Sequence, residues 1–335
     1  MTDLFLALVR SGLHERPLAA EELQQARAAT AADWASILTA ARQQTVLGQL
    51  YQALFLLPPD VKPPEKVVTA IMSEALRSVR RSYAVTAATE KLVERLRSAG
   101  LSPVVMKGVT VAAFYRRPEF RAAGDIDLYL PKDQFSKALQ YLDNPQAATD
   151  GGIHSKEDGI DIDLHDNYYD LHCRQSLLPE PGTPEATLLM LSAHILKHAI
   201  GPGVGLRQLC DMTMAVQTLG SKCDPSALRT LFRRTGTLRW NRLLFSFLSE
   251  HLSMSDPVFS DKEHISSESL MRIVMDGGNF GHYAAARQTA LDAGDKRRKL
   301  NTLSQILKRM PFSLRYSPRE TFARIGTLIR GNLHW

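Results

Sequence analysis

Two aspartates separated by one residue, in Gly124-Asp125-Ile126-Asp127-Leu128, constrain this chain more than any other feature. The segment reads as a β-strand, in which successive side chains point to opposite faces, so Asp125 and Asp127 project from the same one. Adjacent carboxylates repel each other and give up β-propensity at both positions. A fold keeps such a pair where a cation neutralises it, and a divalent metal ion is the first candidate.

A second segment offers further ligands. Beyond a turn-rich gap from Asn144 to Gly152, Gly159-Ile160-Asp161-Ile162-Asp163-Leu164-His165 alternates polar and apolar residues. That is the pattern of a half-buried strand, with Asp161, Asp163 and His165 on one face and Ile160, Ile162 and Leu164 packed inward. If the two strands are neighbours, three or four carboxylates converge. Oxygen-rich ligand sets of this sort suit Mg²⁺ or Mn²⁺, which keep several waters and share the phosphates of a substrate. Asp161 on its own reads as a solvated strand acid.

Around these strands the chain resembles a known family. Met106-Lys107-Gly108, then Arg121-Ala122-Ala123-Gly124-Asp125-Ile126-Asp127-Leu128, then Asp163-Leu164-His165, then His194-Ile195-Leu196-Lys197-His198 with Arg207 and Asp211 after it, follow one another in a familiar order. The order resembles that of nucleotidyltransferases of the DNA polymerase β superfamily, in particular a bacterial branch of uncharacterised nucleotidyltransferases. The resemblance covers residues from about 70 to 220.

The resemblance implies that Asp125, Asp127 and Asp163 are the catalytic carboxylates and hold two Mg²⁺ (or Mn²⁺) ions with the NTP. Asp163 would also orient and deprotonate the acceptor hydroxyl, and pyrophosphate would leave. Two ions about 3.5–4 Å apart stabilise attacking and leaving oxygens together in such a displacement. The resemblance further implies a nucleotide-binding set of Lys107, Gly108, Thr110, Arg121 and Gly124. Gly108 would let the backbone approach the triphosphate at a helix start, where free amides favour an anion. Lys107 and Arg121 would balance the phosphate charge. Two departures stand out: Gly108 is followed by Val109, so that a hydroxyl first occurs at Thr110, and the interval from Gly108 to Asp125 is long for the superfamily though not for the branch. Without the resemblance, Lys107 reads as a strand-end cation and Arg121 as a partner for Glu119 or an aspartate.

His194 and His198 stand four apart, so on a helix they share a face. No cysteine or third histidine stands at ligand spacing beside them, which speaks against zinc. The pair reads instead as packing on the catalytic strands and fixing Asp163 or the nucleotide by hydrogen bonds. His165, His194, His198 and Arg207 are therefore candidates for supporting roles, and Arg207 and Asp211 can also support each other at i,i+4.

The expected fold is α+β: a small mixed sheet with helices on one face, flanked by N-terminal and C-terminal helical regions. Residues 1–62 read as a helical cap, 63–180 as the nucleotidyltransferase core, 181–295 as a helical acceptor or cover domain, and 296–335 as a basic amphipathic tail. Within the core, a long helix starts at Pro63-Pro64 and ends near Ser98, Pro103–Met106 is a first strand, and helices cover Val109 to Tyr115 and Asp133 to Leu142. Four helices follow, near 185–200, 204–219, 225–235 and 238–252. No run of 18 or more apolar residues predicts a transmembrane segment. The first residues lack the marks of a signal peptide, and Cys173, Cys210 and Cys223 form no paired framework, which fits a reducing cytoplasm.

The charge of +6 is unevenly placed: residues 296–335 hold ten Lys/Arg against one acid, Glu320, which leaves the first 295 slightly acidic. Lys296-Arg297-Arg298-Lys299, with Leu303, Ile306, Leu307 and Met310 and then Phe322, Ile325, Leu328 and Ile329, forms a basic amphipathic pattern. Such a pattern binds RNA or an anionic membrane surface, or packs on the body with a solvated basic face. Three functions stay open. One is nucleotidyl transfer to a small molecule, sugar or protein hydroxyl. Another is the same chemistry on RNA or tRNA ends, as in toxins. The third is a nonenzymatic nucleotide-binding scaffold, against which three closely spaced acids argue. The acceptor itself is not written in any motif.

Overall fold

In the computed structural model, which describes residues 2–61, 63–147, 152–201, 203–278 and 308–333, the two aspartate-bearing segments pair with each other. The fold is α+β. Its mixed sheet has the order β1-β2-β5-β4-β3, where β1 is Val104–Val105, β2 Ile126–Tyr129, β3 Asp143–Ala147, β4 Ile153–Glu157 and β5 Ile160–His165. β2 and β5 run parallel with Asp127 opposite Asp163 and Tyr129 opposite His165. The pairs β1–β2, β3–β4 and β4–β5 are antiparallel.

The chain divides into two compact units, Met1–Arg42 with Val46–Tyr168, and Gln43–Thr45 with Tyr169–Trp335. In the first unit, Ile126, Leu128, Ile160, Ile162 and Leu164 turn one sheet face into a core. Against it lie Val85, Ala88, Leu92, Val93 and Leu96 of the helix α5 (Glu65–Ser98), together with Ala138 and Leu142. Apolar residues recur every three or four positions along α5, and its length of 34 residues spans about 50 Å. Each fully buried Leu or Ile contributes about 2 kcal/mol by leaving water. Arg95 of α5 donates two hydrogen bonds, 3.1 and 2.6 Å, to the buried Glu157 of β4, which fastens the helix to the sheet. By strand alternation the opposite face carries Asp127, Asp161, Asp163 and His165.

The gap expected from Asn144 to Gly152 is in part a strand. Asp143–Ala147 forms the exposed edge strand β3, with a register shift between Asp143 and Gln146; residues 148–151 lie outside the described ones. Its Asp-Asn-Pro-Gln composition reads as a turn because an edge strand needs a ladder on one side only and tolerates proline. β4 went unanticipated as well. It joins β5 through Asp158-Gly159, whose φ values of 49° and 77° suit a tight hairpin turn, so Glu157 faces Ile160 and, counting back, His154 faces Asp163. The two short helices end early: α6 covers Val109–Ala112 and α7 covers Lys132–Ala138, followed by a 3₁₀ turn at Leu139–Tyr141.

Four helices precede α5: α1 (Thr2–His14), α2 (Ala20–Ala28), α3 (Ala31–Gln44) and α4 (Leu47–Leu54). Gly48 of α4 touches the turn Pro118–Phe120, where a Cβ would stand 1.9 Å from the Phe120 carbonyl oxygen. This contact sets the chain just ahead of Arg121.

The second unit is helical among the described residues. α8 (Pro184–Ala199), α9 (Leu206–Leu219), α10 (Pro225–Arg234) and α11 (Leu238–Leu252) match the expected segments, and α12 (Glu268–Gly277) follows. Thr183 and Asp224 cap α8 and α10, each ahead of a proline at the first position. Of the basic tail, Lys296–Lys299, Leu303, Ile306 and Leu307 lie outside the described residues. Within it Arg309 donates to the Gly201 carbonyl at 2.5 Å, just past the end of α8, and the buried Glu320 accepts from His172 N at 2.9 Å and His172 Nδ1 at 2.7 Å. No helix among the described residues is long and apolar enough to cross a membrane.

Candidate active site

Parallel pairing of β2 and β5 brings Asp127 and Asp163 face to face. Asp127 is buried and Asp163 half-buried. β2 begins at Ile126, so Asp125 sits at the mouth of the strand rather than in its ladder. Lys107 Nζ stands 2.9 Å from Asp127 Oδ1, and His165 Nε2 stands 3.5 Å from the same oxygen. That second distance is too long for a sound hydrogen bond, and Nε2 is buried with no hydrogen-bond partner among the described residues. His154 Nδ1 approaches Asp163 Oδ1 to 2.5 Å.

The electrostatics follow from this crowding. Burial pushes the Asp163 carboxyl above its ordinary value, the charges of Asp127 and Asp125 add to the rise, and the bond to His154 opposes it. Repulsion among the carboxylates thus falls on Asp163. Lys107 is one cation that offsets it, at Asp127. Asp161 lies on the same strand but is exposed and pairs with Lys156 at 3.1 Å, as a solvated acid does.

The segment between β1 and β2 surrounds the pair. Gly108 has φ 66° and ψ −110° at the N-cap of α6, a backbone state that favours glycine, and a Cβ there would lie 3.5 Å from the Asp125 carbonyl oxygen. Thr110 Oγ1 donates to the Val105 carbonyl at 3.1 Å, so its proton is directed at the backbone. Arg121 is buried, with Nη1 3.4 Å from the Ala122 carbonyl. Glu119, one partner expected for Arg121, pairs with Arg117 at 3.2 Å. Gly124 is exposed, and its carbonyl accepts from Arg81 Nη2 at 2.9 Å.

The remaining predicted residues belong to the second unit. His194 Nδ1 lies 3.3 Å from Asp170 Oδ2, Lys197 Nζ lies 2.7 Å from Asp170 Oδ1, and the His194 and His198 rings meet edge to face at 4.5 Å. Burial alone would raise the Asp170 carboxyl, yet the His194 bond and the Lys197 charge hold it well below the usual range. Arg207 and the buried Asp211 both stand on α9.

One residue at the carboxylates has no counterpart in the sequence reading: His154. It stands on β4, with Nδ1 against Asp163 Oδ1. The signal was available in the Asp158-Gly159 hairpin turn, from which the register opposite Asp163 can be counted.

Asp127, Asp163 and His165 each offer a ligand atom, all within 4.8 Å of one another. Two carboxylates, a buried imidazole nitrogen without a hydrogen bond and a counter-cation held on one of the carboxylates fit a divalent ion. Comparison with curated proteins and with solved structures finds no match. A family model does match, over residues 30–253, well over half of the chain, and its description is "Uncharacterised nucleotidyltransferase". The paired aspartates beside Lys107-Gly108 therefore stand in a chain that belongs to this family of nucleotidyltransferases.

Proposed function

We propose that this chain moves a nucleoside monophosphate from an NTP to an acceptor hydroxyl and releases pyrophosphate, with Asp125, Asp127 and Asp163 as the acting carboxylates. The observation that carries the reading is the register of β2 on β5, which sets Asp127 opposite Asp163 and two positions along the chain from Asp125. Divalent ions held by these groups, Mg²⁺ or Mn²⁺, would supply the charge that stabilises attacking and leaving oxygens. Asp163 takes the proton of the acceptor hydroxyl. The acceptor oxygen then bonds to the α-phosphorus as the bond to the pyrophosphate oxygen breaks. Lys107, beside Gly108, offsets the charge of the phosphates.

The acceptor is a small molecule, a sugar or a protein hydroxyl. An RNA end is the second reading, favoured by the ten Lys/Arg of residues 296–335 and by the exposed Arg77, Arg80 and Tyr83 on α5.

The test incubates the purified chain with each α-³²P-labelled NTP, Mg²⁺ or Mn²⁺ and a cell extract split into RNA, protein and small-molecule fractions. Label in one fraction, lost by on the order of 10³-fold or more in Asp127→Asn with the fold intact, supports the reading and names the acceptor class. Full transfer by Asp125→Ala or Asp127→Asn sinks it.

A further inference from the structure

We propose that His165 is a direct ligand of the divalent ion, together with Asp127 and Asp163, and that its nitrogen makes the site favour Mn²⁺ over Mg²⁺. The proposal rests on the nucleotidyl-transfer reading for the ion's purpose, not for its ligands.

Three observations converge on Nε2 of His165. First, the strand places it. Asp163 and His165 are two residues apart on β5 and share a face, while Asp127 stands opposite Asp163, so the three side chains close on one point. Second, the nitrogen is buried without a hydrogen bond among the described residues. Such a group costs about 1–3 kcal/mol to leave unsatisfied, which ligation would offset. Third, the spacing suits a shared ion. Neighbouring ligands of an octahedral ion with bonds near 2.1 Å stand about 3 Å apart, and Nε2 lies 3.5 Å from Asp127 Oδ1.

Lys107 shows that this oxygen already attracts a cation, at 2.9 Å. It has to release Asp127 Oδ1 when an ion arrives.

Selectivity follows from donor chemistry. Mg²⁺ is a hard ion that takes oxygen donors and gains little from imidazole, whereas first-row transition ions accept nitrogen. Mn²⁺ shares the carboxylate preference of Mg²⁺, so the part of the difference between the two ions that His165→Ala removes reports the nitrogen.

The experiment is Mn²⁺ binding to the full chain by electron paramagnetic resonance, with and without a nonhydrolysable NTP analogue, with Mg²⁺ as competitor and electron spin-echo modulation to detect ¹⁴N. Wild type should bind Mn²⁺ at least ~10-fold more tightly than Mg²⁺ and show histidine nitrogen coupling. His165→Ala should lose the coupling and weaken Mn²⁺ by at least ~10-fold, with less than about threefold change for Mg²⁺. His154→Ala should keep the coupling, which rules out the neighbouring imidazole as its source. The wild-type spectrum needs no variant, so poor folding of His165→Ala leaves the test intact. Bound Mn²⁺ without nitrogen coupling overturns the ligand assignment while nucleotidyl transfer stands. Binding of neither ion, even with nucleotide, overturns both.

Discussion

The ammonium of Lys107 lies 2.9 Å from Oδ1 of Asp127, and both side chains are largely buried. The pair joins the end of the β1 segment to the centre of β2, across residues that Val105 and Leu128 bring into register. Removing the cation takes from a buried carboxylate its ammonium partner at 2.9 Å. Lys107→Met is therefore expected to lower unfolding free energy by about 2 kcal/mol in urea titrations without divalent ions. Millimolar Mn²⁺ should restore much of the loss in the same titration, and a loss untouched by the ion would show that the ion does not take the ammonium's place.

Transfer activity should have an acid limb set by Asp163. The carboxyl acts as a base only when ionised, so kcat/KM falls as pH drops through its pKa. His154→Ala deletes the bond that opposes the rise of that pKa, and the limb should move to higher pH with KM for NTP little changed. A pH profile of the two proteins checks this; an unmoved limb would assign the ionisation elsewhere.

Asp163 should also cost stability. Its folded pKa lies above the ordinary aspartate value, so the folded state holds the proton more tightly and stability declines as pH rises from the unfolded value through the folded one. At pH 7.5 Asp163→Asn should melt higher than wild type. Below both pKa values the advantage should vanish. Thermal melts at pH 7.5 and pH 3 separate this from a general packing effect, which would persist at both.

Gly48→Ala tests the contact that sets the chain ahead of Arg121. The new Cβ would stand 1.9 Å from the Phe120 carbonyl oxygen, and both neighbours are backbone, so one element has to shift. A loss of about 3 kcal/mol in denaturant unfolding is expected. A loss under ~0.5 kcal/mol would mean that α4 and the turn at Pro118–Phe120 separate easily.

Strong periodicity made much of the fold legible. α5 and the helices from Pro184 to Leu252 carry apolar residues at helical spacing, and the inward set Ile160, Ile162 and Leu164 is written as strict alternation. β3 was hidden because an exposed edge strand has no apolar face to reveal it. β4 alternates Ile153, Ser155 and Glu157 inward, and a buried Glu matched by Arg95 reads as a polar strand with no core side. In the site, same-face placement of Asp163 and His165 follows from counting residues. Which strand lies beside β5 does not, because Asp127 reaches Asp163 through a parallel pairing that skips over β3 and β4. The Lys107 pairing depends on β1 turning back on β2, and no local pattern encodes it.

That parallel pairing also bears on the order of folding. The β4–β5 hairpin closes over Asp158-Gly159 and needs only neighbouring residues, whereas β2 meets β5 only after the intervening chain has been gathered in. Mutual repulsion between Asp127 and Asp163 is therefore met late, when the last long-range strand contact zips. A divalent ion in the refolding buffer would act on that closing step and leave the hairpin unaffected.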